Sequence, residues 1–175
     1  VIVENIENHD DLTEGDALIT NLKGIAIGVR TADCVPILIV DKGGSVIAAV
    51  HAGWRGTWSE IVVNTVNKIE SEFGISSINL TAVIGPSIKS CCYEVGEDVA
   101  ALFSDRFENT NQYLSKTTES KYLLDLSIAN KLSLQKAGVV DIEILDICTK
   151  CNDSFYSYRR EGKGVSTQLS FIALR

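Results

Sequence analysis

The sequence predicts a single mixed α/β domain whose sheets are largely antiparallel. Short runs rich in β-branched residues recur along the chain, a glycine-rich turn joins two of them, and helical spacing of apolar residues appears between others. The length of 175 residues fits one domain that can bury a sizeable core.

Three strands are predicted in the first third of the chain. The runs IAIGVR (Ile25–Arg30), PILIV (Pro36–Val40) and VIAAVH (Val46–His51) are separated by polar or glycine-bearing pieces. The intervening sequence DKGGS consists of turn residues, so the second and third strands are expected to form an antiparallel hairpin. Such a hairpin brings Cys34, just before its first strand, and His51, at the end of its second, to the same end of the sheet.

The rest of the chain predicts helices and strands in alternation. A helix capped by Thr57 or Ser59 is expected to end at Gly74, since apolar residues follow at helical spacing. Residues 104–120 are predicted to be mostly loop, and Asp125 is predicted to cap the helix that follows it. The other predicted elements are a strand at Ile78–Gly85, a short helix at Glu97–Phe103, a strand at Tyr122–Leu126, a helix from about Ser127 to Lys136 that ends at Gly138, and strands at Asp141–Ile147 and Gln168–Leu174.

Composition excludes several classes of function. The net charge of −7 argues against broad binding to nucleic acid or to anionic membranes, which require a basic face. No apolar run approaches the roughly 18 residues of a membrane span. The five cysteines form no dense disulfide pattern and are expected to be thiols in a reducing cytoplasm. The chain has no Met, so Val1 is expected to lie inside a longer gene product.

A cysteine and a histidine that converge at a sheet end suggest two kinds of chemistry. They can form a thiolate–imidazole pair for nucleophilic catalysis, or they can be two ligands of a metal such as zinc or copper. A buried cysteine and a structural histidine would be a third, non-functional interpretation. The sequence HAGWRG favours function, because two glycines bring the backbone close to a neighbour and one short turn presents both Trp54 and Arg55.

Five segments together resemble one known family. RTADCVPILI, VIAAVHAGWRGT, IGPSIKSCCYEVGEDV, LDL and DICTKCNDSFYSYRREG occur in the order found in the YfiH/LACC1-like family of laccase-domain proteins. Its members were long labelled polyphenol oxidases and are now described as purine nucleoside phosphorylases with adenosine deaminase activity. The resemblance implies an α/β/β/α sandwich, comparable with a cysteine hydrolase fold, and a zinc-dependent enzyme. A purine nucleoside and phosphate would be its substrates, and the protein would be a monomer or homodimer.

The resemblance also implies a ligand set for the zinc, made of one cysteine and two histidines. It places the cysteine at Cys34 and one histidine at His51, and both would be catalytic as well. The other histidine aligns at or before Val1, so the domain is expected to lack its N-terminal part. His9, the second histidine of this chain, is expected to be a solvated loop residue.

Residue types suggest how substrates would be held. Arg55 is the first candidate for binding phosphate, with Arg30 or Arg159 as further candidates, because phosphorolysis requires cationic donors for an oxyanion. Tyr93 is a candidate for stacking on a purine. The family pattern continues with Gly-Arg where this chain has Ser166–Thr167, a difference that bears on specificity.

The remaining cysteines are interpreted as structural. CTKC, from Cys148 to Cys151, has the spacing of a redox or zinc motif. Cys91 and Cys92 are expected not to join it around one metal, because adjacent residues of a strand point to opposite faces. The favoured expectation is a tight turn that packs both into the core.

Three other functions are compatible with the sequence. A copper-dependent polyphenol oxidase is disfavoured, since a multicopper enzyme needs about a dozen ligands, many of them histidines, and the chain has two. A non-catalytic nucleoside-binding domain would explain a missing third ligand. A metal-free cysteine hydrolase would use Cys34 as a nucleophile.

Overall fold

A five-stranded sheet lies at the centre of the computed structural model, which describes residues 15–175. Neighbouring strands are antiparallel, apart from the last pair, which is parallel. In spatial order, with strands numbered along the chain, the sheet consists of β1 (Ala17–Thr20), β4 (Ile47–Ala52), β3 (Val35–Asp41), β5 (Leu80–Ile84) and β9 (Asp141–Ile144).

Two smaller antiparallel sheets and five helices complete the described part. The strand pair consists of β2 (Ala26–Thr31) and β10 (Gln168–Ala173), and the three-stranded sheet of β6 (Glu94–Gly96), β8 (Lys121–Leu124) and β7 (Leu114–Lys116). The helices are α1 (Trp54–Trp58), α2 (Ile61–Phe73), α3 (Glu97–Arg106), α4 (Leu126–Lys136) and α5 (Tyr158–Glu161), with 3-10 turns at Ser77–Asn79 and Thr110–Gln112. None of the helices described is long and apolar enough to cross a membrane.

The central sheet is covered on both faces. Ile37 and Ile39 of β3 pack in the core under α2 and α4, while Leu38 and Val40 pack against the β2–β10 pair. Strands buried on both faces have continuous apolar sequences, which is why PILIV and VIAAV lack polar alternation. The described residues thus form the helix–sheet–sheet part of the predicted sandwich, and the mixed α/β class is confirmed.

The predicted hairpin between β3 and β4 is confirmed. Pro36 pairs with His51 in its register. One oxygen of the Asp41 carboxylate accepts from the backbone N–H of Gly43 at 2.9 Å, and the other accepts from those of Ser45 and Val46, both at 2.6 Å. Three donors on one buried carboxylate hold the turn closed and so determine which residues meet at the far end of the hairpin.

The predicted caps at the C-terminus of α2 and at the N-terminus of α4 are confirmed. Gly74 ends α2 in the left-handed conformation at φ 67°, which suits a residue without Cβ. The Asp125 carboxylate accepts from the backbone N–H groups of Ser127 and Ile128 at 3.1 Å and so caps α4.

Other boundaries differ from the prediction. Thr57 and Ser59 do not cap the first long helix; α1 precedes it, and Glu60 in the left-handed conformation at φ 57° separates the two helices. Thr57 is instead buried in α1, where its hydroxyl accepts from the Asn130 amide at 2.9 Å. β7 lies in the segment predicted as loop, and β1, β6 and α5 were not predicted, because three or four residues are too few to show a period.

Candidate active site

Cys34 and His51 converge at one end of the central sheet. Cys34 ends the loop between β2 and β3, and His51 is the penultimate residue of β4. Gly53 lies beside both: a Cβ placed on it would be 3.1 Å from the Cys34 Sγ and 3.8 Å from the His51 Cε1. A side chain at position 53 would therefore require the thiol to shift by a few tenths of an ångström, so the first glycine of HAGWRG leaves room for Cys34.

Asp16, the residue directly before β1, supports His51. Its Oδ1 lies 2.8 Å from the His51 Nδ1, and its carbonyl accepts from the His51 backbone N–H at 2.8 Å. A hydrogen bond with Cys34 raises the pKa of His51 to about 9; burial opposes this shift and the contact with Asp16 adds to it. The carboxylate engages Nδ1 and leaves Nε2 as the ring nitrogen available on the other side.

Two adjoining cavities open beside this pair. The first, of about 380 Å³, is lined by Asp16, Asp33, Cys34, His51, Gly53, Trp54, Arg55, Gly56, Ile88, Tyr93 and Leu126. The second, of about 580 Å³, is lined by Arg30, Thr31, Ala32, Asp33, Cys34, His51, Trp54, Ile88, Tyr93, Tyr158, Arg159, Gly164, Val165 and Thr167. Cys34 and His51 border both cavities, so a ligand in either one can reach the pair.

The structure brings the candidate substrate residues to these cavities. The Arg55 guanidinium lies 4.4 Å from the centre of the Trp54 ring, and that of Arg159 lies 5.1 Å from the Tyr93 ring. The Arg30 Nε donates to the Thr167 hydroxyl at 2.8 Å. Among the described residues, none of these three arginines forms an ion pair with a carboxylate. Three exposed cations without anionic partners make the cavities suited to an anionic ligand.

Tyr93 presents a neutral aromatic ring to both cavities. Its side chain is half-buried, and burial raises the pKa of its phenol to about 12. A neutral ring beside a guanidinium is a suitable surface for a flat heterocycle.

Asp33 ties three segments together directly before Cys34. One carboxylate oxygen accepts from the Thr149 hydroxyl at 2.7 Å, the other accepts from the Arg159 backbone N–H at 2.7 Å, and its carbonyl accepts from the Ile88 backbone N–H at 2.9 Å. Its backbone is left-handed at φ 85°. The FYSYRREG segment therefore lies at the site, with Tyr158 and Arg159 on the cavity wall, and is not a free surface loop.

Sequence reasoning missed Asp16 and assigned no role to Asp33. Asp16 is 35 positions from His51, and the short β1 that positions it has no periodic signal. Ile88 and Leu126 were likewise not singled out, since an apolar cavity wall cannot be distinguished from core in a sequence.

The Cys34–His51 pair fits part of a zinc site. A thiolate and an imidazole are typical zinc ligands, and a carboxylate on the other ring nitrogen is the usual support of a ligating histidine. His9 lies outside the described residues. The donors seen are therefore two ligands with one supporting carboxylate, which is compatible with a site completed by a further ligand.

The expectations that Cys91 and Cys92 point away from the CTKC cysteines and pack into the core are wrong. The sulfur atoms of Cys91, Cys92, Cys148 and Cys151 all lie within 4.8 Å of one another. Cys91 and Cys92 belong to a turn and not to a strand, so alternation of faces does not apply to them. Cys91 is exposed and Cys92 half-buried, so the turn does not pack them into the core either.

The fold and the site together define a laccase-domain protein with the YfiH-type fold. The whole chain, residues 1–175, matches the family described as "Multi-copper polyphenol oxidoreductase laccase", and the chain belongs to that family. The resemblance stated from the sequence motifs is thereby confirmed.

Two relatives and one solved structure show how similar the chain is to known proteins. The chain is 40% identical over 173 residues to a purine nucleoside phosphorylase of Clostridium acetobutylicum, and 39% identical over 163 residues to adenosine deaminase RL5 of an unknown prokaryotic organism. These alignments cover 98% and 90% of this chain. The crystal structure of the Bacillus licheniformis hypothetical protein YfiH superposes with a TM-score of 0.87 at 33% identity over 91% of this chain.

The chain is shorter than these proteins. It spans 72% of the Clostridium protein, 62% of RL5 and 61% of the YfiH chain.

Proposed function

We propose that the protein is a zinc-dependent purine nucleoside phosphorylase of the cytoplasm that acts on adenosine, inosine and related nucleosides. Hydrolytic deamination of adenosine is its second activity. The names of two relatives, a purine nucleoside phosphorylase and an adenosine deaminase, support this pair of activities. The observation that carries the proposal is the Cys34–His51 pair, supported by Asp16, in a cavity that also holds unpaired arginines and an aromatic ring.

Phosphorolysis exchanges one bond to the ribose C1′ for another. A phosphate oxygen forms the new C1′–O bond while the C1′–N9 bond breaks, its electrons pass to the purine, and the purine nitrogen takes a proton. The products are the free base and ribose 1-phosphate. The protein must hold a phosphate dianion against the sugar and stabilise charge on the departing ring.

The arginines supply the phosphate contacts in this proposal. Arg55 borders the first cavity together with Cys34 and His51, and its stacking on Trp54 restricts where the guanidinium can point. Arg30 and Arg159 border the second cavity, where they can bind the phosphate or the ribose hydroxyls. Tyr93 lines both cavities and would stack on the purine.

Cys34 and His51 would hold the zinc, with a further ligand that the described residues do not supply. When bound, zinc supplies a Lewis acid and a water acidic enough to attack a purine ring carbon at neutral pH. Asp16 would orient the His51 ring by accepting from Nδ1, which would leave Nε2 as the nitrogen available to hold the ion. Gly53 leaves room for the thiol to approach the imidazole.

A product screen tests this proposal. The natural full-length protein is incubated with a panel of nucleosides, with and without phosphate, and with and without a chelator, and products are identified by mass. The proposal predicts free purine plus ribose 1-phosphate only when phosphate is present, inosine from adenosine without phosphate, and loss of both on chelation.

Other outcomes of the same screen would assign other functions. Turnover that survives chelation but is lost on alkylation of Cys34 would identify a metal-free cysteine hydrolase. Nucleoside binding without products would identify a binding domain. Oxidation of phenols by a copper-loaded protein that releases no purine would identify a polyphenol oxidase, and each of these results contradicts the proposal.

A further inference from the structure

Two loops bring four thiols together away from the Cys34–His51 pair. Cys91 and Cys92 lie in the turn between β5 and β6, and Cys148 and Cys151 lie in the turn after β9. None of the four lines either cavity beside Cys34. The cluster is therefore separate from the candidate active site.

The sulfur positions match the spacing of a tetrahedral site. With Zn–S bonds of about 2.3 Å, neighbouring sulfurs of a regular tetrahedron are about 3.8 Å apart. Cys91 and Cys151 are separated by 3.8 Å and Cys92 and Cys151 by 3.2 Å, and no pair exceeds 4.8 Å. An ion can thus contact all four sulfurs after small side-chain adjustments.

Backbone contacts hold the two loops in register. Ser87 forms an isolated parallel bridge with Cys148. The Ser87 N–H donates to the Ile147 carbonyl at 3.2 Å, and the Thr149 N–H donates to the Ser87 carbonyl at 3.1 Å. The loops are therefore fixed relative to each other by contacts that do not involve the thiols.

The turn from Cys148 to Cys151 is itself held in place. The Asn152 backbone N–H donates to the Cys148 carbonyl at 3.1 Å and closes the turn around both cysteines. The Arg160 Nη1 donates to the carbonyls of Thr149 and Lys150 at 3.0 and 3.1 Å. The four sulfurs are thus presented by a scaffold that is already organised.

We propose that Cys91, Cys92, Cys148 and Cys151 form a second, structural metal site that binds one zinc ion through four thiolates. Four protein ligands leave no open position, so the ion has no catalytic role of its own. Soft sulfur ligands in a tetrahedron favour zinc over calcium or magnesium.

The ion would stabilise two loops that contribute residues to the candidate active site. The first loop carries Ile88 and Tyr93 to the cavities, and the second carries Thr149, whose hydroxyl donates to Asp33 next to Cys34. A zinc ion bound to both loops would keep them at a fixed distance from each other. This inference does not depend on the reaction proposed above.

Metal analysis of three proteins tests the second site. The natural full-length protein, its Cys34→Ser variant and its Cys151→Ser variant are purified under reducing conditions, and zinc per chain is measured. We expect Cys34→Ser to retain one tightly bound zinc and Cys151→Ser to hold one zinc fewer than the unaltered protein. A zinc-free Cys34→Ser protein, or an unchanged zinc content in Cys151→Ser, would overturn the proposal.

X-ray absorption of zinc in the Cys34→Ser variant gives a readout that does not require Cys151→Ser to fold. The expected spectrum shows four sulfur ligands at about 2.3 Å. Thiol titration of the same variant should reveal four additional reactive groups after chelation, one for each cysteine of the cluster. A nitrogen- or oxygen-dominated zinc shell contradicts the assignment.

Discussion

Asp16 and His51 are joined twice, through backbone and side chain. The His51 backbone N–H donates to the Asp16 carbonyl at 2.8 Å, and the Asp16 carboxylate lies 2.8 Å from Nδ1 of the same histidine. The pairing of β1 with β4 places the two residues side by side. The imidazole next to Cys34 therefore has one ring nitrogen committed to a carboxylate.

Replacing this carboxylate tests its positioning role. Asp16→Asn keeps the size of the side chain but removes the charge that supports the His51 ring. We expect kcat/KM for phosphorolysis to fall by about 10- to 100-fold and zinc to be lost at lower chelator concentration. Asp105→Asn, at an exposed acid of α3, is the matched control and should change neither quantity. Wild-type kinetics in Asp16→Asn would show that Asp16 is not needed to orient the histidine.

Arg55 is expected to act mainly on phosphate. Arg55→Ala removes a charge-assisted contact worth about 1.5–3 kcal/mol, so the KM for phosphate should rise by at least about 10-fold while nucleoside binding changes less. Arg106→Ala is a suitable control, since Arg106 also lies over a tryptophan, Trp58, but pairs with Glu60 and lines neither cavity beside Cys34. An unchanged KM for phosphate in Arg55→Ala would refute the assignment.

The two glycines around Trp54 and Arg55 should respond differently to alanine. A Cβ at position 53 would lie 3.1 Å from the Cys34 Sγ, whereas the nearest atom to a Cβ at position 56 is 3.5 Å away, an ordinary contact. Gly53→Ala should therefore displace the thiol and lower kcat/KM by about 10-fold, since small misplacements of reacting groups are costly. Gly56→Ala should retain activity. Equal kinetics in the two variants would mean that the thiol position is not critical.

Asp41 is expected to make the hairpin sensitive to acid. Burial alone raises the pKa of this carboxyl, but backbone N–H groups of Val46, Ser45 and Gly43 outweigh it and bring the pKa below its ordinary value of 3.8. A lowered folded-state pKa contributes stability above pH 3.8 that is lost as the pH falls through the folded value. Asp41→Asn should therefore cost about 1–3 kcal/mol of unfolding free energy at neutral pH.

Urea unfolding at neutral pH and below pH 3.8 measures this difference. The gap in unfolding free energy between wild type and Asp41→Asn should narrow in acid. Asp105→Asn again provides the control for an exposed acid, with a change in unfolding free energy within about 0.5 kcal/mol. A gap that stays constant across the two conditions would show that the Asp41 charge does not stabilise the turn.

The sequence was informative where local chemistry determines the structure. DKGGS predicts a hairpin because its residues satisfy the turn, and a hairpin necessarily brings Cys34 and His51 to one end of the sheet. The caps at Asp125 and Gly74 were predictable for the same reason, since each acts within a few residues of its own position.

Contacts between distant segments were not predictable from one sequence. Asp16 reaches His51 through a four-residue strand, and Asp33 meets Thr149 across 116 positions, so neither contact leaves a periodic signal. Strand geometry predicts that the side chains of Cys91 and Cys92 point to opposite faces. The two residues lie in a turn, where side chains need not alternate, so the cysteine cluster was not predicted.

Phosphate-dependent cleavage of a purine nucleoside by the unaltered protein and by Cys34→Ala tests the central proposal most directly. Ribose 1-phosphate is measured for both proteins at matched concentration, and circular dichroism verifies that the variant is folded. We expect ribose 1-phosphate from the unaltered protein and none above background from the folded variant. Formation of ribose 1-phosphate by Cys34→Ala at a rate near that of the unaltered protein would contradict it.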